Sequence, residues 1–235
     1  MKPIVVLRNE AAAPPGYLGD ALDHRSLDWQ VVRLDCGDPL PKVEDISGVA
    51  VLGGPMGVYD EEEFPFLIDE KRFLADCTSA GVPVLGICLG CQLLAEVLGG
   101  RAFVAERAEI VFGSIELTRD GHADPVIAAL AGRSMIRYHQ DTFDVPPGGV
   151  LLATGGGFDQ AFRMGPALGI QPHPEVTSEL LAGWLGSERG RQRVIDLGAD
   201  PDALIAQHRA AESEAAATAS KVFDAWIDEV VHSAS

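Results

Sequence analysis

Short apolar runs alternate with amphipathic stretches along the first hundred positions, the pattern of a mostly parallel sheet covered by helices. A first buried strand is expected over about residues 3 to 7, ending Ile4-Val5-Val6-Leu7, followed by a helical stretch from about Tyr17 to Leu27. Further strands run through Gln30 to Leu34 and Val49 to Leu52, and the second of these ends in Gly53-Gly54-Pro55-Met56-Gly57. After the acidic loop Asp60 to Glu63, Phe66, Leu67, Phe73 and Leu74 recur at helical spacing, which predicts a helix over about Pro65 to Ser79. Gly81 stops it, and Pro83 to Ile87 forms the next strand. Residues Leu89 to Leu98 are helical again, punctuated by Gly99-Gly100.

Beyond residue 100 the pattern changes. Residues 101 to 118 and 134 to 171 carry short β-like runs separated by glycine turns, among them Gly155-Gly156-Gly157. These read as additional, partly antiparallel strands on the same sheet. The last sixty residues are Ala- and Glu-rich and read as two or three covering helices, with Ala203 to Val231 a candidate for one long helix. No repeat or linker interrupts the chain. A single domain over 1–235 is therefore expected, its helical C-terminal extension beginning near residue 200.

Composition changes this picture little. The apolar run after Met1-Lys2-Pro3 is too short for a signal peptide and lacks a cleavage site. No run approaches the roughly 20 apolar residues that span a membrane, so a cytoplasmic protein without a membrane partner is expected. Lys and Arg number 18 against 35 Asp and Glu, a formal net charge of −17. A field of that sign repels polyphosphate and argues against nucleic acid as a partner. The four cysteines, Cys36, Cys77, Cys88 and Cys91, do not read as a disulfide framework in such a chain.

The sharpest chemical motif is Gly86-Ile87-Cys88-Leu89-Gly90-Cys91-Gln92, where a buried strand enters a helix through Gly-x-Cys-x-Gly. In serine hydrolases the corresponding Gly-x-Ser-x-Gly is a strained elbow that leaves no room for side chains beside the nucleophile. Such a turn sets the sulfur at a helix N-terminus, which favours thiolate, and aims the Leu89 N–H at a developing oxyanion. Two other readings compete: Cys88 as a small core residue, and Cys88 with Cys91 as a redox C-x-x-C.

A cysteine nucleophile needs a histidine base and a group to orient it. Among six histidines, His173 stands out. In Gly169-Ile170-Gln171-Pro172-His173-Pro174-Glu175 it ends a strand-like run within a proline-rigidified turn, and i, i+2 spacing sets Glu175 on its side. His139 in Tyr138-His139-Gln140-Asp141 offers a second His-x-acid pair, so a metal site built from both pairs is a competing arrangement. The Gly53 to Gly57 loop lies at a strand's carboxyl end, where open α/β sheets bind ligands. It lacks the Gly-Lys-Ser/Thr ending of a phosphate loop, so an oxyanion donor or a substrate contact fits it better than a nucleotide.

Together these motifs resemble the class I glutamine amidotransferase family, in particular stand-alone members similar to a synthetase's glutaminase domain. The resemblance runs through Gly-Gly-Pro-Met-Gly-Val-Tyr-Asp, Gly-Ile-Cys-Leu-Gly-Cys-Gln-Leu-Leu, His-Gln-Asp-Thr-Phe and His-Pro-Glu, in that order. It implies an open, mostly parallel, flavodoxin-like α/β sheet with flanking helices, extra antiparallel strands and a helical C-terminal tail. It also implies Cys88 as nucleophile, His173 as base and Glu175 as its orienter, with oxyanion donors at Gly54 and Leu89. Gly53, Met56, Gln92, Gln140 and Asp141 match positions around the substrate, and neither cofactor nor metal is implied. The implied chemistry is thiolate attack on a γ-carboxamide, loss of ammonia and hydrolysis of a γ-glutamyl thioester. Three positions depart from the family pattern: Cys91 where a small residue is commoner, Gln140 in place of glycine, and Pro172 in place of an aromatic. None removes a catalytic group, but Gln140 adds a side chain at the implied substrate edge. Three functions stay open: a glutaminase serving a separate ammonia-accepting synthetase subunit, a γ-glutamyl amide or peptide hydrolase needing no acceptor, and a non-catalytic binding protein.

Overall fold

The computed structural model describes residues 2–233. In chain order the elements are β1 (Ile4–Arg8), α1 (Tyr17–His24), β2 (Trp29–Arg33), β3 (Gly48–Val51), α2 (Phe66–Ser79), β4 (Val84–Ile87), α3 (Leu89–Val97) and β5 (Arg101–Ser114). There follow β6 (Glu116–Leu117), α4 (Arg119–Ala123), β7 (Ser134–Asp144), β8 (Val150–Gly155), β9 (Phe158–Met164) and β10 (Ala167–Ile170). The chain closes with α5 (Ser178–Gly186), α6 (Glu188–Asp196), α7 (Pro201–Ala210) and α8 (Glu212–Ser233). The main sheet has eight strands in the order β2-β1-β3-β4-β10-β9-β8-β6. Strands β1 to β4 and β10 pair in parallel, and β9, β8 and β6 extend the sheet antiparallel.

Two-residue alternation explains how this sheet buries both faces. Ile4 and Val6 of β1 join Ala50, Leu85 and Ile87 in a core closed by Leu18 and Leu22 of α1 and by Phe223, Trp226 and Ile227 of α8. Val5 and Leu7 point the other way, into a core with Val49, Val51 and Val84 that α2 and α3 cover through Leu67, Phe73, Leu74, Leu93 and Leu94. A third cluster sits apart, where Ile136 of β7 meets Val176, Leu181, Leu185, Val194 and Leu204 of the α5–α7 region.

Two expectations need correction. Strands β5 and β7 do not join the main sheet: they pair only with each other, as a separate antiparallel ribbon. The two faces of the ribbon are occupied differently. Ile136 and Tyr138 pack toward the helical wedge, while Arg137 and His139 engage a buried carboxylate. Among the described residues the C-terminal region forms four helices, and 203–231 is not one continuous helix. It breaks at Ala211 because the Glu212 carboxylate is drawn to Tyr17 Oη and the Ser178 N–H, fixing where α8 begins.

Candidate active site

Cys88 stands between β4 and α3 with φ 52°, ψ −106°, a left-handed conformation that a non-glycine residue seldom adopts. Ser26 is the one other described non-glycine residue with positive φ. The Cys88 N–H donates to Ile170 O at 2.9 Å and its carbonyl accepts from the Gln92 N–H at 3.1 Å, so the turn is held from both sides. Its glycines are required by packing. A Cβ on Gly86 would stand 2.3 Å from Gly90 O, and one on Gly90 2.4 Å from Val51 O. Leu89 is the first residue of α3, so helix geometry gives its N–H no intrahelical acceptor.

β10 ends beside β4, which carries His173 to the same edge of the sheet. The His173 N–H donates to Ile136 O at 2.9 Å, tying the turn to the ribbon. Nδ1 lies 2.8 Å from Glu175 Oε1, and both side chains are 5% exposed. Burial disfavours charge on His173, but the carboxylate of Glu175 and the Cys88 sulfur outweigh it and hold the imidazole well above its ordinary value. Glu175 is itself fixed from behind: its carbonyl accepts the Tyr17 N–H at 2.9 Å, and a Cβ on Gly16 would fall 2.1 Å from that oxygen. Trp184 of α5 meets the His173 ring edge-on, with centroids 5.2 Å apart.

The glycine loop after β3 closes the other side. A Cβ on Gly53 would lie 3.3 Å from His173 Cε1 and 3.5 Å from Cys88 Cβ. One on Gly54 would meet Met56 Sδ at 2.4 Å and Leu89 Cδ2 at 2.9 Å, so this loop and the start of α3 lie against each other. Gln92, 3% exposed, donates through Nε2 to Asp141 O at 3.0 Å and to Gln171 Oε1 at 3.2 Å. Tyr59 Oη donates to Asp141 Oδ2 at 2.7 Å, and the Tyr138 carbonyl lies 3.9 Å from Cys88 Sγ.

Cys88, His173, Glu175, Gly53, Gly54, Met56, Leu89, Gln92 and Asp141 thus surround one edge of the sheet. Gln140 differs: its amide donates to Ala105 O at 3.2 Å across the ribbon, and the residue lines a cleft against α6. Gln171, Tyr59 and Trp184 escaped the sequence reading, although Gln171 lies inside the Gly169–Glu175 run and Tyr59 inside the glycine-loop motif. Cys91 is fully buried, and its sulfur sits where a Gly169 Cβ would be 2.8 Å away. Burial pushes its thiol well above the ordinary range, with the Cys88 charge and Asp159 adding to this. His139 and His173 engage different carboxylates, and among the described residues no three His, Cys, Asp or Glu side chains are arranged to hold a metal. The arrangement brings together what acyl transfer requires: a sulfur at a helix start, a carboxylate-paired imidazole and backbone N–H groups.

Open α/β sheets bind their ligands at the carboxyl edge of the strands, where these groups stand. The family model for class I glutamine amidotransferases matches residues 17–182, and the chain belongs to that family. The GMP synthase [glutamine-hydrolyzing] of Thermus thermophilus is 40% identical over 129 residues, which are 53% of this chain and 24% of that protein. Its counterpart in Desulfotalea psychrophila is 28% identical over 195 residues, 80% of this chain and 36% of that protein. The chain therefore spans only 24% to 36% of the length of these curated relatives. The crystal structure of a glutamine amidotransferase from Thermotoga maritima superposes with a TM-score of 0.86 at 26% identity, covering 96% of this chain and 98% of that one.

Proposed function

We propose that the protein hydrolyses the γ-carboxamide of glutamine through a γ-glutamyl thioester on Cys88. The observation that carries this reading is the left-handed Cys88 at the start of α3, beside the buried His173–Glu175 pair. The Cys88 thiolate attacks the carboxamide carbon, and the oxyanion is received by the N–H groups of Leu89 and the Gly54 loop. His173, held protonated by Glu175, donates to the departing nitrogen, so ammonia leaves and the thioester remains. His173 then takes a proton from water, which attacks the thioester and releases glutamate. Gly53, Met56, Gln92 and the backbone at Asp141 border the substrate. Relatives named GMP synthase [glutamine-hydrolyzing] support a synthetase as the acceptor of the ammonia. No described helix is long and apolar enough to cross a membrane, and the four cysteines are free thiols, which suits a reducing cytoplasm.

The test is intact-mass labelling with 6-diazo-5-oxo-norleucine followed by peptide mapping. One label on Cys88, blocked by excess glutamine and lost in Cys88→Ala, is the expected result. No label on a folded protein would overturn the catalytic reading in favour of a binding role.

One observation favours a second substrate. A cleft of about 710 Å³ lies between Gln140 and α6, lined by Arg189 and Arg193 together with the acidic Glu188 and Asp196. Neither arginine has an ion pair among the described residues, in a chain with 35 acidic groups. Arg193 sits 5.8 Å from the centroid of the Tyr138 ring, whose residue turns its carbonyl toward Cys88. A γ-glutamyl amide with a larger amine portion would find room there, with Arg193 within reach of a carboxylate on it. Cleavage of γ-glutamylglycine in preference to glutamine, weakened in Arg193→Ala, would select this reading.

A further inference from the structure

The ribbon that borders the reaction centre is anchored by a buried polar cluster with no place in the chemistry above. Glu109 of β5, Arg137 and His139 of β7 and Gln160 of β9 are all at most 8% exposed. Glu109 Oε2 lies 3.0 Å from His139 Nε2 and accepts from Gln160 Nε2 at 2.8 Å, while Oε1 is 3.1 Å from Arg137 Nε. A Cβ on Gly156 would fall 2.0 Å from Glu109 Oε1, so the Gly155–Gly157 turn is what makes room for this carboxylate. The other ring nitrogen, His139 Nδ1, is 2.9 Å from Asp141 O, the oxygen that also receives Gln92 Nε2.

This geometry constrains the protons. A carbonyl oxygen only accepts, so Nδ1 donates to Asp141. Burial alone would raise Glu109, but the hydrogen bonds from His139 and Gln160 and the Arg137 charge hold it below the usual carboxylate range. Nε2 faces Glu109 Oε2 at 3.0 Å, so the ring spans the two strands. Arg137 faces the same carboxylate, and the Arg107 guanidinium lies 5.3 Å from the Phe158 centroid. Phe158 presents an edge-on contact to His139 at 5.2 Å. The Asp141 carboxylate is engaged by Tyr59 rather than by this cluster.

We infer that His139 is a positioning residue: through its two ring nitrogens it bridges the Glu109 carboxylate and the Asp141 carbonyl and holds the ribbon against the reaction centre. The clamp spans the bulge at which pairing jumps from Val104↔Asp141 to Glu109↔His139. Without it, residues 105–108 leave the strand carrying Tyr138 and Asp141 without regular ladder support. Its effect on turnover rests on the glutaminase reading, whereas the bridge itself does not.

Two measurements test it. Long-range ¹H–¹⁵N spectra of the full chain, with the His139 signals assigned by their loss in His139→Gln, should show a proton on Nδ1, the nitrogen that faces the Asp141 carbonyl. Glu109→Gln should perturb the Nε2 signal while preserving the shape of the site. An Nδ1 without a proton in the wild type would overturn the clamp even if the variants fail to fold. In His139→Gln the KM for glutamine should rise roughly tenfold, with the loss falling on KM more than on kcat. An unchanged KM would overturn the positioning role. If the wild type turns over no glutamine, the proposed function fails, and the spectra still decide the clamp.

Discussion

Replacing Glu175 by glutamine isolates the role of charge at the imidazole. The carboxylate Oε1 lies 2.8 Å from His173 Nδ1, while Oε2 is buried with no partner among the described residues. Glutamine keeps the shape and an oxygen that accepts from Nδ1. It loses the negative charge and leaves an amide N–H₂ where Oε2 stood. A hydrogen bond to a charged group contributes about 1.5–3 kcal/mol, so kcat/KM should fall roughly 10- to 150-fold at neutral pH. His173→Ala removes the proton carrier itself and should cost more, about 10²- to 10⁴-fold. The pH profile carries the sharper test. Glu175 is the leading influence that overcomes burial and holds the imidazole up, so its removal lowers the pH at which His173 gives up its proton. The alkaline limb of kcat/KM, which reports loss of the protonated imidazole, should therefore move to lower pH. Ammonia release coupled to glutamate dehydrogenase, followed over about pH 6 to 10, reads both quantities. An unmoved alkaline limb, or a loss larger than that of His173→Ala, would refute the assignment of base and orienter.

Gly90→Ala should lower the melting temperature by roughly 3–10 °C and reduce turnover, because its Cβ would meet Val51 O at 2.4 Å in a strand with no room to retreat. Normal stability would mean that the elbow can shift. Glu70, fully buried in α2 and bonded to Asn9 Nδ2 at 3.2 Å, is pushed by burial from 4.5 up to about 8. The folded state then holds a proton that the unfolded state has released, so wild-type stability should decline between about pH 4.5 and 8. Glu70→Gln should flatten that decline in a melting series, and an unchanged slope would assign it to another group. Chelators should leave activity intact. Inhibition reversed by zinc would revive the metal site once weighed for the His139 and His173 pairs.

What was legible in the sequence divides by the distance over which its causes act. The Gly86 to Gly90 elbow is readable within five residues, because Gly86 answers to Gly90 O across the turn, although Gly90 answers to Val51 O on the neighbouring β3. The His173–Glu175 pair is likewise local, and the alternation of Ile4, Val5, Val6 and Leu7 is enough to cover both faces of the sheet. The ribbon's separation from the sheet was not legible. Its buried anchor is likewise a long-range fact, since Glu109 meets His139, 30 positions on, and Gln160 of the main sheet, 51 positions on. On the sequence alone Glu109 is one of 35 acidic residues, with nothing to mark it as buried. The break at Ala211 was hidden for the same reason, since helix propensity runs unbroken through it and Tyr17, 195 positions earlier, engages Glu212. Gln140 joins the two cases. As a departure from the family's glycine it was visible at once, yet its bond to Ala105 across the ribbon bulge is a tertiary fact. A glycine there could not make that bond. The substitution therefore bears on how the ribbon is braced as much as on which amide enters the site, and Gln140→Gly should separate the two: a change in relative kcat/KM between glutamine and γ-glutamylglycine speaks for substrate choice, an equal loss on both for bracing.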